Sequence, residues 1–351
     1  MVMQDQNLER QPSNIKKYSN EDLEKLLFDH LYHKFGKRFL DYRKKYYDSI
    51  NYNLSGNEGN YPNTVILELV NRCNLECVMC HQEWRNDSKK YTMSDNDLDV
   101  IFDSFKKNKL NSLMLSISEP LLYKNIEKVF KRAEEAEIMD IFLFTNGTLL
   151  NEKNSRKILE SSVTRLFISI DAFSKETYDK VRIPVTKNIK SNRIEQLQNN
   201  IKNFMKLRDQ YDRRFPLVRT SFVELGDNKH EVEEFKNKWL NIVDSVEVQK
   251  EVSINAYSET SKFNLDELFS YSKKKDKDYN CRQPWSSIGI YSDGTVTPCC
   301  NTFGRNLPIG NIRDDKIENI WKNHKIKKIR EAFDKKTPCV GCTICLDNTA
   351  E

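Results

Sequence analysis

The sequence predicts an α/β barrel, open or closed, followed by a smaller cysteine-bearing unit, and three observations carry that prediction. From Thr64 to about Gln249, short β-branched and apolar runs alternate with amphipathic stretches. Strand and helix alternating at this spacing imply parallel βαβ units. The strand-like runs read as largely continuous apolar runs, as strands covered on both faces do. After Gln249 the rhythm gives way to a polar, Ser/Lys/Asp-rich connector and a cysteine-terminated tail. At 351 residues the chain has room for roughly two domains.

Residues 1–14 are polar and aperiodic and read as a disordered tail. From Ser19, an N-cap with Asp22 three residues on, helical spacing runs through Leu23, Leu27, Leu31, Phe35 and Phe39 to Tyr42 and Tyr46, an arm of one or two helices. Asn51–Asn63 has loop composition. Six strands are expected: VILELV from Val65, LMLSI at 113–117, IFLFT at 141–145, RLFISI at 165–170, LVRTSFVEL at 217–225 and VDSVEVQ at 243–249, with five helices between them. Chemistry is expected at the C-terminal strand ends of such a barrel. Beyond Cys281 comes a hairpin-like IGIYSDGTVTP with Asp293-Gly294 at its turn. The expected division is 1–63 for the tail and helical arm, 64–250 for the barrel and 251–351 for the smaller domain.

The 57 basic and 52 acidic residues are interleaved, which argues against a nucleic-acid partner. No apolar run approaches the 18 residues needed to span a bilayer and the N-terminus lacks a signal-peptide core, so no membrane partner and a cytoplasmic location are expected. Nine Cys fall in two tight groups: Cys73, Cys77, Cys80, then Cys281, Cys299, Cys300, Cys339, Cys342, Cys345. An odd count without a secretion signal points to reduced thiolates on iron or zinc.

Cys73, Cys77 and Cys80 form CxxxCxxC directly after the first expected strand. A 4Fe-4S cluster on three thiolates keeps one iron open for catalysis; the alternative is a structural zinc with His81 as fourth ligand. With SISEPLL after the second strand, TNGTLL after the third and SIDAFSKETYDKVR after the fourth, the sequence resembles the radical S-adenosylmethionine (SAM) superfamily from Val65 to Cys345. The resemblance implies a partial (β/α)6 TIM-like barrel. It implies Cys73, Cys77 and Cys80 as ligands of the SAM-binding 4Fe-4S cluster. Ser118 and Glu119 would lie at the methionyl amine, Asn146 at the cofactor, and Ser169 with Asp171 near the ribose. Ile117 and Ser118 stand where the superfamily usually has glycines, and Met79 where many members have an aromatic ring.

Cys281, Gly294 and Cys299 are spaced CX12GX4C, which resembles the opening of the SPASM and twitch domains appended to such barrels. That resemblance implies an auxiliary 4Fe-4S cluster on Cys281, Cys299, Cys339 and Cys342, with Cys345 as a competitor; a zinc ribbon is the alternative. Cys300 is either a substrate-facing thiol or a packed free Cys. Arg182 is a candidate for an anionic substrate group, with a surface role as the alternative; Arg219 on the fifth strand is similar, and the five His have no ligand spacing. Trp285 is expected to pack the small domain onto the barrel.

The enzyme so implied generates a 5′-deoxyadenosyl radical and removes a substrate hydrogen. A sugar- or polyol-type small molecule oxidised as by a dehydrogenase is the expected substrate, with epimerisation or peptide modification as rivals and a non-catalytic metal scaffold more remote. Flavodoxin or ferredoxin is the expected electron donor.

Overall fold

A computed structural model of the chain describes residues 20–50, 58–80, 90–186, 192–251, 259, 262–272, 279–299 and 306–348. The expected tail at 1–14 lies outside them. Eleven strands are described: β1 (Thr64–Leu67), β2 (Leu75–Cys77), β3 (Ser112–Leu115), β4 (Asp140–Thr145), β5 (Arg165–Ser169), β6 (Arg182–Pro184), β7 (Leu217–Glu224), β8 (Ser245–Lys250), β9 (Ser287–Ile290), β10 (Thr295–Thr297) and β11 (Gly310–Asn311). β1, β3, β4, β5, β7 and β8 are the six expected strands, and they pair in that order, all parallel. Helices α1 (Asn20–Phe35) and α2 (Lys37–Ile50) precede them. Between the strands run α3 (Asp95–Asn108), α4 (Ile126–Glu135), α5 (Glu152–Leu159), α6 (Lys175–Val181), α7 (Arg193–Gln210) and α8 (Val232–Trp239).

Helices α3, α5, α6 and α7 begin at a side-chain cap followed by buried apolar positions, and α3 is the clearest case. Ser94 caps it by accepting from Asp97 N at 3.0 Å, and Asp95 and Asp97 in the first turn suit the helix dipole. Leu98, Ile101, Phe102 and Phe105, spaced three and four apart, face the sheet and are buried. Burying each such side chain contributes about 1.5–3 kcal/mol. The sheet answers by alternation: Ile141, Leu143, Leu166, Ile168, Val218 and Phe222 join this core. Phe142, Phe144, Phe167 and Arg219, at the intervening positions, lie on the opposite, concave face.

The N-terminal arm breaks at Gly36, whose φ of +53° suits glycine. Leu23, Leu27, Leu31, Phe39 and Tyr42 pack on Met139 and Leu217, at the N-terminal ends of β4 and β7. Tyr42 donates to Asp140 Oδ2 at 3.2 Å. The arm therefore covers the barrel end opposite the strand C-termini.

The IGIYSDGTVTP hairpin is β9 and β10, turning at Gly294 with φ +85°. It forms no sheet of its own. β9 pairs parallel with β1, Thr64 opposite Ser287 through Leu67 opposite Ile290, so one nine-stranded sheet runs β11-β10-β9-β1-β3-β4-β5-β7-β8. A separate antiparallel pair joins β2 to β6, setting Cys77 opposite Arg182.

Candidate functional site

The loops after β1, β3, β4 and β5 meet at the C-terminal end of the sheet, because parallel strands bring these connections to one edge. The first carries Cys73, Cys77 and Cys80. Cys77 is buried, and Cys73 and Cys80 are half-buried. Pairing of β2 with β6 fixes Cys77, and Arg182 Nη1 donates to its Sγ at 3.2 Å. The other guanidinium arm is ion-paired to Asp171. Asp171 sits at φ +60°, which a short polar side chain tolerates. It accepts from Val223 N at 2.7 Å, while Asn228 Nδ2 donates to its carbonyl at 3.0 Å.

Asn146, just past β4, donates from Nδ2 to Asn74 Oδ1 at 2.8 Å and lies 3.5 Å from Cys73 Sγ. Its backbone N–H donates to Glu119 Oε2 at 2.8 Å. Thr145 Oγ1 and Leu121 N donate to Glu119 Oε1 at 2.8 and 3.1 Å. Glu119 thus braces the loops after β3 and β4. Its burial, opposed by these donors, pushes its carboxyl up to about 7. Beside it, Ile117 takes φ +78°, the left-handed conformation that the superfamily's glycine would adopt freely.

Burial pushes the Cys73 thiol up to about 12, and the anionic forms of Glu119, Cys77 and Cys80 add to it. Burial also raises Cys77, against the pull of Arg182. Three thiols gathered on one loop, two of them held from ionising by burial, are a donor set that a cationic iron–sulfur core fits. Arg182, expected to meet an anionic substrate group, is instead committed to Asp171 and Cys77. The β2–β6 pairing turns it inward, and it is 8% exposed.

In the C-terminal unit, backbone bonds from Ser272 N to Pro338 O and from Val340 N to Ser270 O, both 2.9 Å, hold the buried Cys339 in place. Cys342 and Cys345 lie three residues apart on the helix Val340–Asn348, hence on one face. Burial raises the Cys342 thiol far above its ordinary range, followed by the charges of Cys339, Cys281, Cys299 and Cys345, so all five thiols share one neighbourhood. Among the described residues no three His, Cys, Asp or Glu side chains converge tightly enough for a single metal ion. Cys300 and His81 lie outside the described residues. Trp285 is buried and meets Phe333 edge-on at 5.8 Å.

The concave face holds a constellation that the sequence reading set aside. Phe167 meets Phe142 and Phe144 edge-on at 5.7 and 4.7 Å. Arg219 lies over the Phe167 ring at 3.7 Å and pairs with Glu247 at 2.5 Å. Arg219 Nε is buried with no hydrogen-bond partner. Burial lowers the Arg219 pKa, with Glu247 opposing. The signal was present in β7: Arg219, Ser221 and Val223 alternate with the core residues Val218, Thr220 and Phe222.

A family model of the radical SAM superfamily matches residues 67–238, and one of the SPASM iron-sulfur cluster-binding domain matches residues 281–345. The chain belongs to the radical SAM superfamily. As a radical SAM enzyme with a SPASM domain, it uses SAM, a 4Fe-4S cluster and auxiliary iron–sulfur chemistry. A "Probable GTP 3′,8-cyclase" of Methanococcus maripaludis is 32% identical over 117 residues, 33% of this chain and 39% of the relative. One of Methanocaldococcus jannaschii is 30% identical over 115 residues, 33% and 38% of the two chains. This radical SAM chain therefore spans about two fifths of the length of these curated relatives. Among solved structures, Streptococcus suis SuiB bound to precursor peptide SuiA superposes with TM-score 0.58 at 16% identity, over 87% of this chain and 74% of that one. The likeness is one of fold. No helix of the described residues is long and apolar enough to cross a membrane.

Proposed function

We propose that this radical SAM enzyme oxidises a carbinol carbon of a sugar- or polyol-type small molecule to a ketone. The SAM-binding cluster is assigned to Cys73, Cys77 and Cys80, and the auxiliary cluster to Cys281, Cys299, Cys339 and Cys342, within a barrel at 64–250 and a SPASM-type unit at 251–351. When bound, these cofactors supply a 5′-deoxyadenosyl radical that takes one hydrogen atom and an acceptor for one electron.

The observation that carries the substrate class is the concave face. A wall of three phenylalanines suits the C–H face of a ring, the unsatisfied Arg219 Nε offers a donor to its hydroxyls, and the Glu247 carboxylate, held by Arg219, offers an acceptor. Ser169 and Ser221, opposite one another on β5 and β7, add hydroxyls in the register row of Glu247. In this reading the substrate carbon loses a hydrogen atom and an electron, and its hydroxyl loses a proton to Glu247. The C–O bond becomes C=O. Ser118, Asn146 and Ser169 line the SAM side. A flavodoxin or ferredoxin delivers the reducing electron.

Anaerobic incubation with SAM, dithionite and each of myo-inositol, D-glucosamine and UDP-D-glucose tests the reading by mass spectrometry. A product two mass units lighter is expected from at least one of them. A product of unchanged mass in ordinary water that is one unit heavier in heavy water, and that is lost in Cys300→Ala, would make the enzyme an epimerase. Turnover of a peptide alone would overturn the substrate class.

A further inference from the structure

We propose that Glu68 is a positioning residue that makes the SAM-binding loop depend on the C-terminal hairpin. Glu68 directly follows β1 and is fully buried. One carboxylate oxygen, Oε1, accepts from Ser118 Oγ at 3.1 Å. The other, Oε2, accepts from Ser292 N at 3.1 Å and from Ser292 Oγ at 2.9 Å. Ser292 is itself buried and lies in the β9–β10 turn. A single buried carboxylate therefore bridges the loop after β3 and the turn of the hairpin that leads to Cys299.

The loop needs such a hold. Ile117 is a β-branched residue at φ +78°, a conformation that persists only when the surroundings impose it. Glu119, two residues on, is tied down by the donors from Leu121, Thr145 and Asn146. Ser118 lies between the strained residue and the fixed one, and the Glu68 bond gives it a side-chain restraint. A glycine at this position would have no side chain to make that bond. Its carboxylate is shared, so a change at Ser292 alters the charge and orientation available to Ser118. The backbone reinforces the link: Glu68 N donates to Ile290 O at 2.9 Å, tying the same residue to β9. The hairpin that supplies Cys299 and the loop expected at the methionyl amine thus share one residue, and loss of order in the former is felt in the latter. This holds whatever the substrate, because it concerns SAM alone.

The test uses the full chain with both clusters reconstituted, and SAM as the probe. Dissociation constants come from equilibrium binding, with the SAM-induced change in the electron paramagnetic resonance of the reduced cluster as a second readout. Ser292→Ala is expected to weaken SAM by about fivefold to tenfold, the lower end of the usual range for coupled sites, with iron content retained. Its effect should vanish when Ser118→Gly is already present, because the route from Ser292 to the loop then lacks its last bond. Ser292→Thr, which keeps both donors, should restore wild-type binding. If Ser292→Ala loses iron, Glu68→Gln replaces it in the same pair with Ser118→Gly and must show the same non-additivity. Unchanged SAM affinity, or effects that multiply independently in the double variant, would overturn the proposal.

Discussion

Replacing Asp171 by Asn removes one charge from the buried pair that anchors β6 beneath the first cysteine loop. Arg182 and Asp171 are 8% and 0% exposed, so the guanidinium loses its counter-ion where water cannot replace it. Breaking a buried pair from one side costs about 3–5 kcal/mol. Asn keeps an oxygen for Val223 N, which donates at 2.7 Å, and the bond from Arg182 to Cys77 Sγ remains. The lower end, about 3 kcal/mol, is therefore expected. At about 2 °C per kcal/mol for a large chain, the unfolding midpoint of the cluster-free protein should fall by about 6 °C. Asp171→Ala also orphans the Val223 amide and should lose a further 1–3 kcal/mol, roughly 2–6 °C. Thermal unfolding followed by far-ultraviolet circular dichroism under reducing conditions reads both variants. A midpoint for Asp171→Asn within 1 °C of wild type would refute the argument that this pair holds the loop.

Glu119 gives a pH dependence of definite sign. Its folded-state pKa is raised to about 7, so its contribution is fully present below the ordinary carboxyl range and lost as pH rises through about 7. Cluster-free wild type should lose about 3 kcal/mol between pH 4.5 and 8 from this group. Denaturant titrations of Glu119→Gln should lack that decline, and parallel curves for the two proteins would contradict it. Gly147→Ala places a methyl 2.5 Å from Leu197 Cδ1 and 2.9 Å from Ile168 Cγ2 at φ +72°. It should cost about 1–3 kcal/mol by urea unfolding, and a neutral result would show that the TNG turn relaxes freely. In the C-terminal unit, Cys342→Ala should release the auxiliary iron and Cys345→Ala should retain it, measured by iron per chain; the reverse pattern would reassign the ligands.

The barrel was legible because five of its six strands are mostly buried and stand out as largely apolar runs, while the half-exposed β8 followed from the strand–helix rhythm. The hairpin was legible from Asp293-Gly294. Its parallel pairing with β1 was not, since residues more than two hundred positions apart meet there and no local pattern encodes a register. β2 and β6, three residues each, are too short to show a period, and without them nothing in KVRIP says that Arg182 turns toward Cys77. Glu68 was hidden inside VILELV, where a single charge in an apolar run gives no hint of the two serines that it bridges. Arg219 was readable in principle from β7 alternation, yet Glu247 becomes its partner only through the pairing of β7 with β8.

The central claim is that the first cysteine group holds the cluster that cleaves SAM while the second holds its own. Anaerobic reconstitution followed by iron analysis and 5′-deoxyadenosine detection with SAM and dithionite tests it most directly. About eight iron per chain and 5′-deoxyadenosine are expected from the wild-type protein. The Cys73→Ala, Cys77→Ala, Cys80→Ala triple variant should keep about four iron and form none of that product. Full iron retention in the triple variant, or 5′-deoxyadenosine formed without those three thiols, would contradict the account.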